Sequence, residues 1–465
     1  MIFSKFSIRL FFTVCIVICF KIANAAALTT IEHEVNEPIF KGTALIYENG
    51  DNKNKSVVLV HGLGTIGAQD WSKFIPVLAE KYHVISFDLP GFARSSKGNH
   101  NYSPENYANF VNWVVTQYVK DDYVLVGHSM GGAIALYYAA YYPRQIEQLI
   151  LVDAAGILHR VSFTKYAFEN FKPTSWWPDL SFDQINRFLP VKIETLERFP
   201  MAFDLVVNTA FARKGLLGSD PLKIAGMSLV LQDYSQVIQR INTPTQIIWG
   251  EKDPIAPVRT GELLKVRLAN ARLHIIKDVG HNPMQSKPKE FNQLALRIIN
   301  AGPLPKSKQD SKRTESGWFS FAETDREENC KSESNKVLTG KYKKIILEDC
   351  HNIKLNNVST DYLELTNSNA NMTDGEIVGN DIALKMLNSV FTATAVDITG
   401  DTAILVTESK LDLAGTNIVA KKQAIQSKGN GVSTILFSVS HISSSHYSGF
   451  VHELLQTSVK KPSRF

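Results

Sequence analysis

The stretch from Tyr123 to Tyr141 reads YVLVGHSMGGAIALYYAAY and contains a Gly-x-Ser-x-Gly pattern centred on Ser129. The apolar run Tyr123–Val126 predicts a buried strand, and the run Ala133–Tyr141 predicts a helix after it. A serine on a tight turn between strand and helix is exposed for attack on a substrate, and flanking glycines keep side chains out of that turn. The helix N-terminus also favours negative charge beside the serine. Ser129 is therefore predicted to be a nucleophile.

Short apolar runs rich in Val, Ile and Leu recur between residue 28 and about residue 300, each followed by glycine or polar residues. This is typical of parallel strands covered on both faces, so the predicted class is α/β. Two earlier runs, Ile31–Val35 and Thr43–Tyr47, predict an antiparallel hairpin. The other predicted strands are Val57–Val60, Val84–Phe87, Leu149–Val152, Thr245–Trp249 and Leu273–Ile276.

A nucleophilic serine needs a base and an acid that orients the base. His281 follows the last predicted strand, and Asp253 follows the strand before it. Both should lie at the carboxyl edge of the sheet, where Ser129 is expected, and the chain order serine, acid, histidine fits this architecture. Asp153 also follows a strand and stays open as an alternative acid, although Asp253 is favoured. His128 is predicted to be structural.

The turn His61–Gly64 after the strand Val57–Val60 is a candidate oxyanion hole, because its glycines let the backbone approach a substrate carbonyl. The predicted donors are the backbone N–H groups of Leu63 and Met130. The alternative is a tight turn with no role in binding.

Residues 28–300 resemble the α/β-hydrolase family with an inserted helical cap. The resemblance implies that the nucleophile, acid and base fall on Ser129, Asp253 and His281. Epoxide hydrolases and haloalkane dehalogenases are set aside, because they carry aspartate at the nucleophile position. The matching segments, in the order of the family, are VLVHGLG (58–64), FDLPGFARSS (87–96), LVGHSMGG (125–132), LILVDAAG (149–156), IIWGEKDPIAP (247–257) and VGHNPMQSKP (279–288).

The expected activity is that of an esterase or lipase that forms an acyl-enzyme and needs no cofactor and no metal. The predicted cap, residues 157–239, is rich in aromatic side chains, which favours a small apolar ester as the substrate. Three alternatives stay open. They are an acyltransferase, a C–C bond hydrolase on the same triad, and a surface glycan-binding protein whose C-terminal part is the working domain.

The C-terminal part has a different composition and a period near 20 residues. Residues 301–335 are polar and predict a linker, and residues 336–465 predict an all-β repeat domain. A parallel β-solenoid is favoured over a β-sandwich, with a glycan or the cell envelope as a possible partner. Cys330 and Cys350, 20 residues apart, are predicted to form a disulfide. The residues that define the period are Leu363, Ala383, Ile404 and Ile425.

Residues 1–27 predict a cleaved signal peptide, with Lys5 and Arg9 before the apolar run Leu10–Phe20 and small residues at Ala23 and Ala25. An uncleaved anchor is the alternative. The protein is therefore expected to be secreted or periplasmic. Cleavage removes three basic residues and no acid, which lowers the net charge from +5 to +2. A nucleic-acid partner is not expected at that charge.

Overall fold

A computed structural model of the protein describes residues 29–162, 203–305 and 325–465. The predicted signal peptide lies outside these residues, as do residues 163–202 of the predicted cap and residues 306–324 of the predicted linker. Among the described residues, no helix is both long and apolar enough to cross a membrane. The described strands form two sheets, one of eight strands and one of fourteen.

The first sheet has the strand order β1-β2-β4-β3-β5-β6-β7-β8. The predicted hairpin forms as β1 and β2, which pair antiparallel, and β3 to β8 pair parallel. All six predicted runs form strands, and five of them are buried as predicted; the sixth, in β8, lies at the edge of the sheet, where Ile275 is exposed. The strand bounds are β1 Thr30–Glu37, β2 Gly42–Asn49, β3 Ser56–Val60, β4 His83–Phe87, β5 Tyr123–His128, β6 Ile146–Val152, β7 Thr245–Gly250 and β8 Ala271–Ile276.

Helices cover both faces of this sheet, so its central strands are buried along their whole length. On one face, Val111 and Ile134 join a large apolar cluster, and on the other Phe74 packs edge-on against Phe291. This burial is the source of the uninterrupted apolar runs in the sequence. The described helices are α1 Ile75–Leu78, α2 Pro104–Tyr118, α3 Met130–Tyr141, α4 Phe203–Asn208, α5 Ala210–Leu217, α6 Pro221–Leu231, α7 Ser235–Gln239, α8 Val258–Arg267, α9 Pro283–Ser286 and α10 Pro288–Ala301.

Helices α4 to α7 lie between β6 and β7, within the range predicted for the cap. Helix α6 packs close to the carboxyl edge of the sheet. A Cβ atom on Gly226 would lie 3.5 Å from Leu63, and one on Gly156 would lie 2.6 Å from Leu229. The described part of the insertion therefore covers the edge where the site residues were predicted.

The second sheet consists of parallel strands that stack in three series, with antiparallel pairs only between β19 and β22 and between β20 and β21. The repeat is not constant. Hydrogen bonds between neighbouring turns join residues 17 apart near the start, 20 apart in the middle and 24 apart near the end. The bounds are β9 Glu327–Lys331, β10 Val337–Tyr342, β11 Lys344–Glu348, β12 Ile353–Thr360, β13 Leu363–Thr366, β14 Asn369–Val378, β15 Ile382–Leu387, β16 Val390–Thr407, β17 Lys410–Ala414, β18 Asn417–Ser427, β19 Ser433–Ser438, β20 Ser440–Ser443, β21 Ser448–Val451 and β22 Leu454–Thr457.

The predicted register of this repeat was correct at one end and wrong at the other. Ile404 pairs with Ile425 as predicted, but Leu363 pairs with Leu384 and not with Ala383. Both Ala383 and Leu384 are fully buried, so apolar character could not distinguish them. A shift of one residue exchanges the two faces of a strand, and only the observed pairing resolves it.

The strand β9 lies inside the range 301–335 that was predicted to be a linker. It pairs with β11 over its whole length, and Cys330 is buried in the same apolar cluster as the later strands. The stacked strands therefore begin by Glu327 and not at residue 336.

Cys330 and Cys350 form the predicted disulfide, with their Cα atoms 6.4 Å apart. The period suggested that the two cysteines occupy equivalent positions on successive turns, but they do not. Cys330 pairs with Leu347 in the ladder, and Cys350 follows the end of β11. The bond closes a loop with a sequence separation of 20, for which the loss of chain entropy in the unfolded state is worth about 3 kcal/mol.

The first sheet with its helices forms one unit, and the second sheet forms another. The first unit contacts the second through α8 and residues 157–162, which lie against β16, β17 and β19. Two buried histidines face each other there, His159 from the first unit and His452 from the second, with ring centroids 5.2 Å apart. The Nδ1 atom of His159 accepts the N–H of Val161, and that of His452 accepts the N–H of Val439. An imidazole whose Nδ1 atom accepts a hydrogen bond carries no proton on that atom, so the ring is neutral.

Burial, followed by the charges of His452 and Arg160, lowers the pKa of His159 to about 3, although Asp412 opposes the shift. Burial also lowers the pKa of His452, with Asp233 opposing it and Arg160 adding to it. Both rings are therefore held neutral in the folded protein at pH values where a free histidine gains a proton.

We expect the protein to become less stable as the pH falls below about 6.5, the pKa of an unfolded histidine. Between that pH and about 3, the unfolded state binds more protons than the folded state, so the free energy of unfolding decreases as acid is added. Thermal unfolding at pH 7 and pH 5 measures the effect. His159→Asn, which keeps an acceptor for Val161, should lose less stability between these two pH values than the wild type does. An equal loss in both proteins would contradict this expectation.

Candidate active site

Ser129 lies on the turn between β5 and α3 with φ 53° and ψ −119°, a backbone conformation that non-glycine residues rarely adopt. Its N–H donates to Val152 O at 2.9 Å, which anchors the turn to the neighbouring strand. A Cβ atom on Gly127 would lie 2.3 Å from Gly131 O, and one on Gly131 would lie 2.3 Å from Val60 O. Both glycines of the pattern are therefore required for the turn to close.

The structure brings Ser129, His281 and Asp253 together from the ends of three different strands. His281 Nε2 lies 2.8 Å from Ser129 Oγ, and His281 Nδ1 lies 2.7 Å from Asp253 Oδ2. All three are buried. If Nδ1 carries the ring proton and donates it to Asp253, Nε2 presents a lone pair to the serine hydroxyl. This arrangement can take a proton from Ser129.

The loop after β7 holds the Asp253 carboxylate in place. Its Oδ1 atom accepts the backbone N–H groups of Ile255 at 2.8 Å and Ala256 at 3.0 Å, while Oδ2 faces His281. The acid in contact with His281 is therefore Asp253.

Asp153, the alternative acid, lies against Asp253 and not against the imidazole. It is fully buried, and its Oδ1 atom accepts the N–H of Gly250 at 2.7 Å. Burial, followed by the charge of Asp253, raises the pKa of Asp153 well above its ordinary value. A carboxyl with a raised pKa keeps its proton, so Asp153 is neutral beside Asp253.

The turn after β3 lies against the serine. A Cβ atom on Gly62 would lie 3.0 Å from Ser129 Cβ, so the backbone approaches the serine closely there. Leu63 follows in the same turn, and Met130 is the first residue of α3, where a backbone N–H has no acceptor within the helix. Met130 thus follows Ser129 in the chain, and Leu63 is the residue after Gly62, whose backbone approaches Ser129.

His128 and Asp70 connect the parts of the site. Asp70 Oδ2 accepts the Gly62 N–H at 3.1 Å and faces His128 Nδ1 at 2.8 Å, while His128 Nε2 donates to His281 O at 2.8 Å. Burial alone would lower the pKa of His128, but the Asp70 carboxylate outweighs burial and raises it. His128 has the predicted structural role. Asp70 was missed, because it lies in a short 3₁₀ turn, Gly67–Trp71, that carries no motif.

The described side chains include no group of three or more His, Cys, Asp or Glu residues arranged to hold a metal ion. The polar groups around Ser129 bond to one another and to the backbone.

Comparison with known proteins relates the N-terminal unit to a known fold family. Residues 55–205 match the family model of the alpha/beta hydrolase fold. "Lipase 1" of Psychrobacter immobilis is 27% identical over 332 residues, covering 64% of this chain and 98% of the relative. A 2-hydroxy-6-oxononadienedioate/2-hydroxy-6-oxononatrienedioate hydrolase of Klebsiella pneumoniae subsp. pneumoniae is 26% identical over 261 residues. The match covers 55% of this chain and 90% of the relative. A solved esterase from Exiguobacterium antarcticum is 19% identical with a TM-score of 0.42, over 56% of this chain and 96% of that one. The N-terminal unit of this chain has the alpha/beta hydrolase fold, and residues 55–205 match the model of that family.

Proposed function

We propose that this hydrolase of the α/β fold cleaves carboxylic esters through an acyl-enzyme on Ser129. The observation that carries the proposal is the continuous hydrogen-bond chain from Asp253 through His281 to Ser129 Oγ. Two relatives that are named as lipases support the same reaction class.

In the proposed reaction, His281 Nε2 accepts the hydroxyl proton as Ser129 Oγ attacks the ester carbonyl. The N–H groups of Leu63 and Met130 stabilise the oxyanion that forms. His281 then protonates the leaving alcohol as the acyl-enzyme forms. Water attacks the acyl group with His281 as base, which releases the acid and restores Ser129. Asp253 holds the tautomer of the imidazole and stabilises its charged form.

The proposed substrate is a small ester with an apolar acyl group. Helix α6 places the buried side chain of Leu229 against Gly156, shortly after the carboxyl end of β6, and Leu63 lies beside Gly226 of α6. Apolar walls with a few placed polar groups are typical of sites that bind such ligands.

A second candidate is cleavage of a C–C bond next to a carbonyl by the same triad, because one relative is named as a hydrolase of such a substrate. Transfer of the acyl group to an alcohol is a third. Purified full-length protein should be assayed on p-nitrophenyl esters of increasing chain length, with and without an added alcohol. A second assay should use an unsaturated 2-hydroxy-6-oxo acid as the substrate for C–C bond cleavage. We expect ester turnover with water as acceptor. Turnover of the oxo acid alone would favour the second candidate, and faster release with alcohol would favour the third.

For the C-terminal unit we infer a parallel β-solenoid, supported by three parallel ladders whose neighbouring turns are 17 to 24 residues apart. We propose a glycan or the cell envelope as its partner and a secreted or periplasmic location. The Cys330–Cys350 bond supports that location, because disulfides persist in oxidising compartments. Binding of the full chain to a carbohydrate array tests the partner, and the N-terminal sequence of exported protein tests cleavage of residues 1–27.

A further inference from the structure

One carboxylate of the second unit binds two separate segments of the first unit. Asp412, on β17, accepts Arg259 Nη1 at 2.8 Å on Oδ2 and Arg259 Nη2 at 3.0 Å on Oδ1. The Ser162 hydroxyl donates to the same Oδ2 atom at 3.1 Å. Arg259 Nε also donates to Thr394 at 3.1 Å, so the guanidinium is held in one plane against the β unit. Paired N–H···O bonds of this kind fix direction as well as distance.

Both segments lead straight from the active site. Arg259 is the second residue of α8, which begins directly after the loop that holds Asp253. Ser162 belongs to the segment that follows β6 and enters the insertion. That segment starts on the turn of the serine, because the Ala155 N–H donates to Ser129 O at 3.2 Å. Each segment is therefore fixed at the site at one end and at Asp412 at the other.

The surroundings of Asp412 make this connection stiff. The His159 N–H donates to Ser438 Oγ at 2.9 Å, and Arg267 donates to Gly415 O at 2.7 Å. The Arg259 and Asp412 side chains are only 19% and 27% exposed, so water competes weakly for their charges. Loss of one partner would leave the other charge partly buried without compensation.

We propose that Asp412 is a positioning residue for the substrate site, through which the β unit sets the spacing between the start of the insertion and the Asp253 loop. The proposal rests on the proposed ester hydrolysis. Loosening this spacing weakens binding of the acyl chain between the insertion and the sheet. It leaves the chemical step largely intact, because the Asp253 carboxylate keeps its own hydrogen bonds to Ile255 and Ala256. A residue with this role changes KM for long acyl chains more than it changes kcat.

The test compares Asp412→Asn in the full chain with Asp401→Asn. Asp401 is also ion-paired, but its partners, Lys421 and Lys422, lie within the β unit. For Asp412→Asn we expect KM for a long-chain p-nitrophenyl ester to rise roughly tenfold, with less change for the acetate ester and kcat changed less than about threefold. Asp401→Asn should match the wild type. Ser162→Ala, which removes only the contact to the insertion, should reproduce part of the rise.

Hydrogen exchange gives a readout that does not depend on activity. Amides in residues 154–162 and 255–260 should exchange faster in Asp412→Asn than in Asp401→Asn. Equal kinetics and equal exchange in the two variants would overturn the proposal. If Asp412→Asn does not fold, Ser162→Ala decides, and wild-type KM and exchange in that variant would also overturn it. If the wild type cleaves no ester, the proposed function fails, and the exchange comparison alone decides whether Asp412 holds the two segments.

Discussion

Ser129→Ala is expected to abolish ester hydrolysis while the protein stays folded. The hydroxyl is the atom that His281 faces at 2.8 Å, and its removal leaves the imidazole with nothing to deprotonate for attack. Removal of the nucleophile from a comparable triad lowers kcat by roughly 10⁶. The turn should survive, because it depends on Gly127, Gly131 and the bond from the Ser129 backbone to Val152. Initial rates on a p-nitrophenyl ester, with circular dichroism as the folding control, measure the effect.

A fluorophosphonate probe provides the matching chemical test. The wild type should be labelled at Ser129 and at no other serine, and Ser129→Ala should not be labelled. Peptide mapping by mass spectrometry locates the label. Residual turnover in the variant, or a label on another residue, would contradict the assignment of the nucleophile.

Asp253→Asn should lower kcat by roughly 10⁴, as loss of the orienting carboxylate does in other triads. An amide at this position donates to His281 Nδ1 and so favours the wrong tautomer. Asp153→Asn is the matched control, because it changes the neighbouring carboxyl in the same way. Its amide can still donate to Asp253 and accept the Gly250 N–H, so we expect less than about a tenfold loss.

Steady-state kinetics of the two variants on one ester separate these roles. A loss near 10⁴ in Asp153→Asn with an active Asp253→Asn would transfer the role of the acid to Asp153. Thermal unfolding of both variants shows whether a buried carboxyl was needed for stability alone.

The sheet and the positions of the three site residues could be predicted because their signals are local. The strands before the site residues are short runs rich in apolar residues, and Ser129, Asp253 and His281 lie in the turns that follow three of them. Asp70 and Asp412 could not be predicted in the same way. Each acts on a residue distant in sequence, His128 and Arg259 respectively, and no spacing pattern marks such a pair.

The register of the C-terminal strands illustrates a second limit. The sequence period averages turns of unequal length, so a single repeat of 20 residues misplaces the early pairs. Cys330 and Cys350 fit the period, yet the ladder pairs Cys330 with Leu347. The disulfide was still predicted correctly despite this error in register, because bonded cysteines occur over a range of Cα separations.

The first turn and the later turns of the strand stack are stabilised by different interactions. This difference determines the end from which the stack unfolds. The first turn is held by the Cys330–Cys350 bond, and the later turns are held by the hydrolase unit through Asp412 and Ser438. In a stack where each turn contacts only its neighbours, unfolding starts at an end that lacks a neighbour. A reducing environment would remove the restraint at the first turn only. The stack would then open from its first turn towards the hydrolase, and the turns that touch the catalytic unit would be the last to separate.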